Sequence, residues 1–392
     1  MKYSDLAMAL KPSDTRELLK LAAMPEVINF ASGLPAAEMF PLKEMAQVDA
    51  EIFRTKGAQA VQYGPAEGYM PLREKIAERM KKAFQVNCKA EDIIITTGSQ
   101  QGLSMLGQLF LNKGDVVLVE SPTYLGALNA LGIDFPEFIE VPTDEQGIIP
   151  EELDKILQTN DRVRMMYVIP DFQNPSGVTW TLERRKQFME VVNKYDFPVV
   201  EDDPYGELRY SGEALPSLKS LDTKGNVVFL GSFSKILMPG LRVGWMVANP
   251  DIIDKMAKLK GAVDLQSGTF AQYQVAYFLD MFDIDAHIAK IRALYGKRRD
   301  ALCNAIHKYL PEGCSTTYPN GGIFVWVTLP KGVNAKALMP QMIEKNVAYV
   351  AGSPFYPNGG NENHFRLNFS SMPEERLEQG VKIIAEVLRE NM

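Results

Sequence analysis

From residue 92 to residue 230 the chain alternates short apolar runs rich in Val, Ile and Met with stretches whose apolar residues recur at helical spacing. Asp92–Thr97 (DIIITT), Asp115–Val119 (DVVLV), Val163–Ile169 (VRMMYVI), Pro198–Val200 with the acids that follow, and Val227–Leu230 read as strands. Between them, Leu182–Tyr195 gathers Leu182, Phe188, Val191, Val192 and Tyr195 mainly on one face, which predicts a helix packed on a sheet. Alternating strand and helix predict an α/β fold with a mostly parallel sheet flanked by helices. Each run ends in a loop carrying Gly, Ser, Pro or Asn, and open α/β sheets bind ligands outside the carboxyl ends of their strands.

After about Asp285 the pattern changes to a charged helical stretch, the alternating segment GGIFVWVTLP, another helix, and a final helix from Pro373 to Glu390. This predicts a smaller α+β domain. Near the start, Asp14–Leu21 reads as one helix, and the Gly and Pro residues of INFASGLPAAEMFP oppose regular structure. The expected division is an N-terminal segment, 1–45, lying at the functional site with the small domain; a large domain, 46–285; and a small C-terminal domain, 286–392.

Composition narrows the function. The chain has 392 residues, 46% of them hydrophobic and 23% charged, near the globular average. A formal net charge of −7 implies no basic surface of the kind that nucleic acid requires. No apolar run approaches membrane-spanning length, and the N-terminus lacks a secretion signal, so neither membrane nor secretion is expected. Three scattered cysteines, Cys88, Cys303 and Cys314, suit a reducing, cytoplasmic setting. With only His287, His307 and His364, far apart in sequence, no histidine-built metal site is expected. The glycine motifs of dinucleotide and P-loop sites, the G-x-S-x-G elbow and the H-E-x-x-H pair do not occur.

The chemistry concentrates in three strand ends. Gly231–Gly244 (GSFSKILMPGLRVG) brings hydroxyls, a lysine and an arginine into what reads as one loop. Ser232, Ser234 and Arg242 suit a phosphate, because hydroxyls donate hydrogen bonds and a guanidinium forks onto two oxygens. Lys235 sits beside that anion, and a lysine in an enclosed pocket is the residue type for a Schiff base. Phosphate with aldehyde suggests pyridoxal phosphate; the alternative for Lys235 alone is a solvated surface charge. In VVEDDPY, side chains alternate along the strand, so Asp202 points away from Glu201 and Asp203. A carboxylate buried there needs a cation, for which a protonated pyridine nitrogen would serve. Asp203 before Pro204 also reads as a turn or cap. PDFQNPSG is a turn by composition, with Asn174 before Pro175.

These motifs resemble the fold-type I, class I pyridoxal-phosphate aminotransferases, and within them the 2-aminoadipate and kynurenine aminotransferase subgroup, from about Ser13 to the C-terminus. The pattern S-x-S-K-x-x-x-P-G-x-R-x-G is complete. The resemblance implies an aspartate aminotransferase-like fold, pyridoxal 5'-phosphate as cofactor, and exchange of an amino group between an amino acid and a 2-oxo acid. It implies Lys235 as the Schiff-base lysine and proton carrier, Ser232, Ser234 and Arg242 as phosphate ligands, Asp202 on the pyridine nitrogen, and Tyr205 and Asn174 on the phenolic oxygen. Ser99 and Gln100 of TTGSQQGL would add phosphate contacts at a helix N-terminus. Tyr124 of ESPTYLG would stack on the cofactor ring as a catalytic residue, and Tyr63 of VQYGPAEGY would reach the phosphate of a neighbouring subunit, which implies a homodimer. Arg366 of NHFRLNFS would hold the substrate carboxylate, with Asn174 and Gly33 of FASGLP beside it. Ser32 is a departure, standing where relatives often have glycine. Arg16 of SDTRELLKL falls where aminoadipate-type relatives place an arginine for a distal carboxylate; an ordinary surface ion pair is its alternative. The same fold also serves β-eliminating lyases and the sensing domain of transcription regulators. The latter resemble fusions to an N-terminal DNA-binding domain, for which little length is expected here.

Overall fold

A computed structural model describes residues 1–9 and 24–392. Its centre is a seven-stranded sheet. The strands, numbered along the chain, are β1 (Ile93–Thr96), β2 (Val116–Glu120), β3 (Glu137–Val141), β4 (Val163–Val168), β5 (Val199–Asp203), β6 (Val227–Ser232) and β7 (Gly244–Val247). They lie in the order β1-β7-β6-β5-β4-β2-β3. All neighbouring pairs are parallel except those of β7, which runs antiparallel to β1 and β6.

The register sorts the side chains into two faces. Tyr167 pairs with Val200, and Asp202 with Leu230, so Tyr167, Asp202 and Ser232 share one face with an apolar layer that includes Val119, Leu230 and Met246. Glu201 and Asp203 lie on the opposite face. Both layers are closed to water, which is why these strands read as unbroken apolar runs. Carboxyl ends of β1, β2, β4, β5 and β6 converge on one edge of the sheet, together with the start of β7 at Gly244.

Two expectations need correction, and two strands were missed. Gly231–Gly244 is not one loop: β6 continues through Ser232 and β7 begins at Gly244. β7 and β3 went unpredicted, because a four-residue strand buried on both faces has no alternation to mark it, and β3 mixes Glu137 and Glu140 into an edge strand. The helix from Leu182 stops at Val192, where Asn193 caps it, short of Tyr195. The expected helix over Asp14–Leu21 lies outside the described residues.

A second, four-stranded antiparallel sheet contains β8 (Ser315–Thr316), β9 (Phe324–Thr328), β10 (Val350–Ala351) and β11 (His364–Asn368) in the order β8-β9-β11-β10. Helices Ile284–Tyr309 and Glu374–Asn391 pack together beside it. Ile28–Asn29 runs parallel to Val347–Ala348 and continues along this sheet, with Phe30 O accepting from Asn368 N at 2.9 Å. Ala36 N then donates to the Tyr295 hydroxyl at 2.8 Å, and Ser370 Oγ donates to Leu34 O at 2.7 Å. These bonds fix Ala31–Gly33 over the converging strand ends.

Candidate active site

The strand ends and the Ala31–Gly33 segment enclose a cavity of about 550 Å³, whose lining includes Lys235, Asp202, Arg242, Arg366, Asn174 and Tyr205. Ser99, Gln100, Tyr124, Ser232, Ser234 and Gly33 line it too. Lys235 follows the end of β6, and its Nζ donates to Gly33 O at 2.7 Å. Burial, then the charges of Arg366 and Arg242, disfavour the ammonium and lower its pKa to about 8.

One end of the cavity is built for an anion. Ser232 Oγ donates to Ser234 Oγ at 2.8 Å and accepts from Ser234 N at 3.1 Å. Arg242 adopts a left-handed backbone (φ 52°) and lies over the N-terminus of the helix Ser99–Phe110, its Nη2 donating to Thr97 O at 3.4 Å. Gly98, at φ 71°, is required here, since a Cβ would come within 2.3 Å of that guanidinium. Free N–H groups at the helix start, two hydroxyls and a guanidinium thus face the same space. Gln100 Nε2 turns to Gly126 O at 2.9 Å.

Asp202 ends β5 on the same face. Its Oδ2 accepts from the Tyr167 hydroxyl at 2.7 Å, while its Oδ1 is buried with no partner among the described residues. Burial lifts its pKa to about 6, against the lowering effect of the Tyr167 hydrogen bond. On the other face Glu201 accepts from Leu218 N and Lys219 N, both at 2.8 Å, and Asp203 accepts from Gly206 N in the turn expected of it. Of the three adjacent acids, only Asp202 reaches the cavity.

Arg366, on β11, extends from the small sheet to the opposite wall. Its Nη1 donates to Asn174 Oδ1 at 2.8 Å and its Nη2 to Ala31 O at 2.7 Å, while Nε is buried without a partner. The guanidinium stacks 3.9 Å from the Phe324 ring centroid, and burial lowers its pKa to about 10, leaving it charged at neutral pH. Tyr205 is buried beside Asn174, and desolvation raises its pKa strongly.

One described candidate is not brought in. Tyr63 is 78% exposed and borders a separate cavity of about 240 Å³ with Gln62, Gly64 and Tyr69. Arg16 lies outside the described residues. Others went unrecognised in the sequence: Leu125, Phe324, Val350 and Phe355 form apolar walls, and Tyr167 holds Asp202. Glu120 accepts from Ile169 N at 2.8 Å and Trp180 Nε1 at 3.1 Å, bracing the loop that carries Asn174. A polar-tipped tyrosine within the apolar run VRMMYVI was the available signal for Tyr167, since a buried phenol needs a partner.

A cleft at the carboxyl edge of an α/β sheet, lined by a neutralisable lysine, an anion cup and a carboxylate that has no cation among the described residues, defines a class of cofactor-assisted enzymes acting on small charged molecules. The chain belongs to the family Aminotransferase class I and II, whose model matches residues 25–384. It is 43% identical to an aromatic-amino-acid aminotransferase of Thermococcus litoralis, over all of this chain and 94% of that protein. It is 40% identical to a 2-aminoadipate transaminase of Thermus thermophilus, over 97% of this chain and 94% of that one. Among solved structures, a Pyrococcus horikoshii kynurenine aminotransferase in complex with PMP superposes with a TM-score of 0.96 at 42% identity, covering 100% of this chain and 97% of its own.

The lowered pKa of Lys235 has a direct chemical consequence in the cofactor-free protein. Its neutral, nucleophilic form should dominate above about pH 8, whereas exposed lysines require about pH 10 or more. Site-resolved labelling with an amine reagent across pH 6 to 11 should give a midpoint near 8 at Lys235; a midpoint matching the surface lysines would contradict the environment described.

Proposed function

We infer that this aminotransferase moves an amino group between an L-amino acid and a 2-oxo acid using pyridoxal phosphate. The observation that carries this reading is that Lys235, the Ser232–Ser234–Arg242 cup and Asp202, whose Oδ1 has no partner among the described residues, line one cavity. The residues fit the cofactor: hydroxyls, a guanidinium and a helix N-terminus suit its phosphate, Asp202 its ring nitrogen, Tyr205 and Asn174 its phenolic oxygen, and the Tyr124 ring its face. When bound, pyridoxal phosphate supplies an aldehyde that condenses with amines and a ring that withdraws electrons from the bond being broken.

The chain's residues divide the remaining work. Asp202 keeps the ring nitrogen protonated through its negative charge. Arg366 would meet the substrate α-carboxylate: among the described residues its two Nη groups are held by neutral carbonyl oxygens, which a carboxylate would displace because charge-assisted bonds are stronger. Lys235 would hold the cofactor through its Nζ, and the same Nζ, as a free amine, would take the proton from the substrate α-carbon. Phe324, Phe355 and the Ala31–Gly33 segment exclude water around these transfers.

Substrate choice follows from the walls. Lys235, Arg242 and Arg366 all have roles, and no other cation among the described residues lines the cavity. Leu125, Val350 and Phe355 suit apolar and aromatic side chains, and we assign Arg16 to the distal carboxylate of glutamate or 2-aminoadipate. The relatives act, by their names, on aromatic amino acids and on 2-aminoadipate, which supports this range, and 2-oxoglutarate fits as acceptor.

A homodimer completes the site. Val61 and Tyr63 on one segment, and Val263 and Leu265 on another that meets it where Gly64 N donates to Gln266 Oε1, are 50 to 78% exposed, as apolar residues covered by a second subunit would be. The 43.8 kDa chain then pairs so that each Tyr63 reaches the other's phosphate cup. Within each chain, we divide the fold into an N-terminal segment, 1–45, a large domain, 46–285, and a small domain, 286–392. A cytoplasmic enzyme of amino-acid metabolism fits these features.

Three measurements check these assignments. Borohydride reduction of the holoenzyme, digestion and peptide mapping should place the pyridoxyl label on Lys235, and Lys235→Ala should lose roughly four orders of magnitude in rate. Label on another lysine would overturn the central assignment. Subunit exchange between Lys235→Ala and Tyr63→Ala chains should restore activity that neither has alone, because one site of each hybrid is intact; failure to recover would remove Tyr63 from the site. Arg16→Ala should lower kcat/KM about 30-fold for glutamate and 2-aminoadipate but not for leucine, as loss of a desolvated charge partner does. Equal effects on all three substrates would return Arg16 to a surface role.

A further inference from the structure

Asp202 is buried with one side-chain oxygen satisfied and the other free. The satisfied oxygen has a single donor among the described residues, the hydroxyl of Tyr167 at 2.7 Å. Tyr167 lies on β4, the strand next to β5, and on the same face of the sheet, and no solvent reaches it. No lysine, arginine or histidine pairs with Asp202 among the described residues. Its carboxylate therefore depends on one neutral hydrogen bond for both its orientation and its charge.

We propose that Tyr167 is a positioning residue of the reaction: it binds Oδ2 of Asp202 and so directs Oδ1, ionised, at the ring nitrogen of the cofactor. This rests on the reading of Asp202 given above. Burial raises the phenol's own pKa far above the ordinary tyrosine value, so the hydroxyl remains a donor at every working pH. A carboxylate lacking this bond would rotate toward other partners and bind a proton more readily, and a neutral acid holds a pyridinium weakly.

Tyr167→Phe removes the hydroxyl and keeps the ring. A double-mutant cycle with Asp202→Asn separates electrostatics from packing, because the ring change is identical in both backgrounds. The full chain, freed of cofactor, is titrated with pyridoxal phosphate and Kd is read from the absorbance of the bound form; thermal melting of each variant reports folding. With Asp202 present, Tyr167→Phe should raise Kd about tenfold, as loss of a hydrogen bond to a charged group does. In the Asp202→Asn background the same change should alter Kd by less than about twofold. Equal increases in the two backgrounds, or no increase in either, would reduce Tyr167 to a space-filling residue while leaving Asp202 in place. Wild-type affinity in Asp202→Asn alone would instead overturn the Asp202 assignment, and the proposal with it.

Discussion

A negative charge buried without a cation is the constraint around which the cleft is organised. Asp202 sits at the end of a strand closed on both faces, where desolvation favours the protonated acid. One phenol holds one of its oxygens, and the other has no partner among the described residues. Such a group is an unfavourable term in the fold unless something positively charged meets it, and in the function proposed above a protonated ring nitrogen would do so. Neighbouring acids show the contrast: Glu201 and Asp203, turned to the other face, are occupied by backbone N–H groups and serve the fold.

The opposite wall solves the complementary problem. Lys235 and Arg366 bring cations into the same small volume, and each is held by carbonyl oxygens rather than by a carboxylate. Neutral acceptors keep both groups oriented without cancelling their charge, so each remains available to an anion or an aldehyde. Ala31 and Gly33 contribute two of those carbonyls. The N-terminal segment is thereby tied to the side chains that would meet cofactor and substrate, and to the small sheet through Phe30. Binding at the cleft and placement of this segment are physically linked.

Chemistry that lies within a few residues of a strand end was legible in the sequence. The GSFSK and PGLRVG segments and the EDDPY stretch stood out by their combination of residue types, the helix opening at Ser99 by the family resemblance, and all of them line the one cavity. Alternation along a strand separated Asp202 from Glu201 and Asp203, and the register agrees. β3 and β7 escaped notice, since an edge strand carrying acids and a short strand buried on both faces lack the periodicity that marks a strand.

The sequence by itself thus determined the fold class, the family and the residue types at each strand end. Only the tertiary structure decided which of those residues meet. Tyr167 finds Asp202 across 35 residues, Arg366 finds Asn174 across 192, Lys235 finds Gly33 across 202, and Arg366 finds Ala31 across 335. Such pairings follow from strand order and from the docking of the first segment on the small sheet. No local window of sequence encodes either, because both are set by the burial of apolar faces contributed from distant parts of the chain.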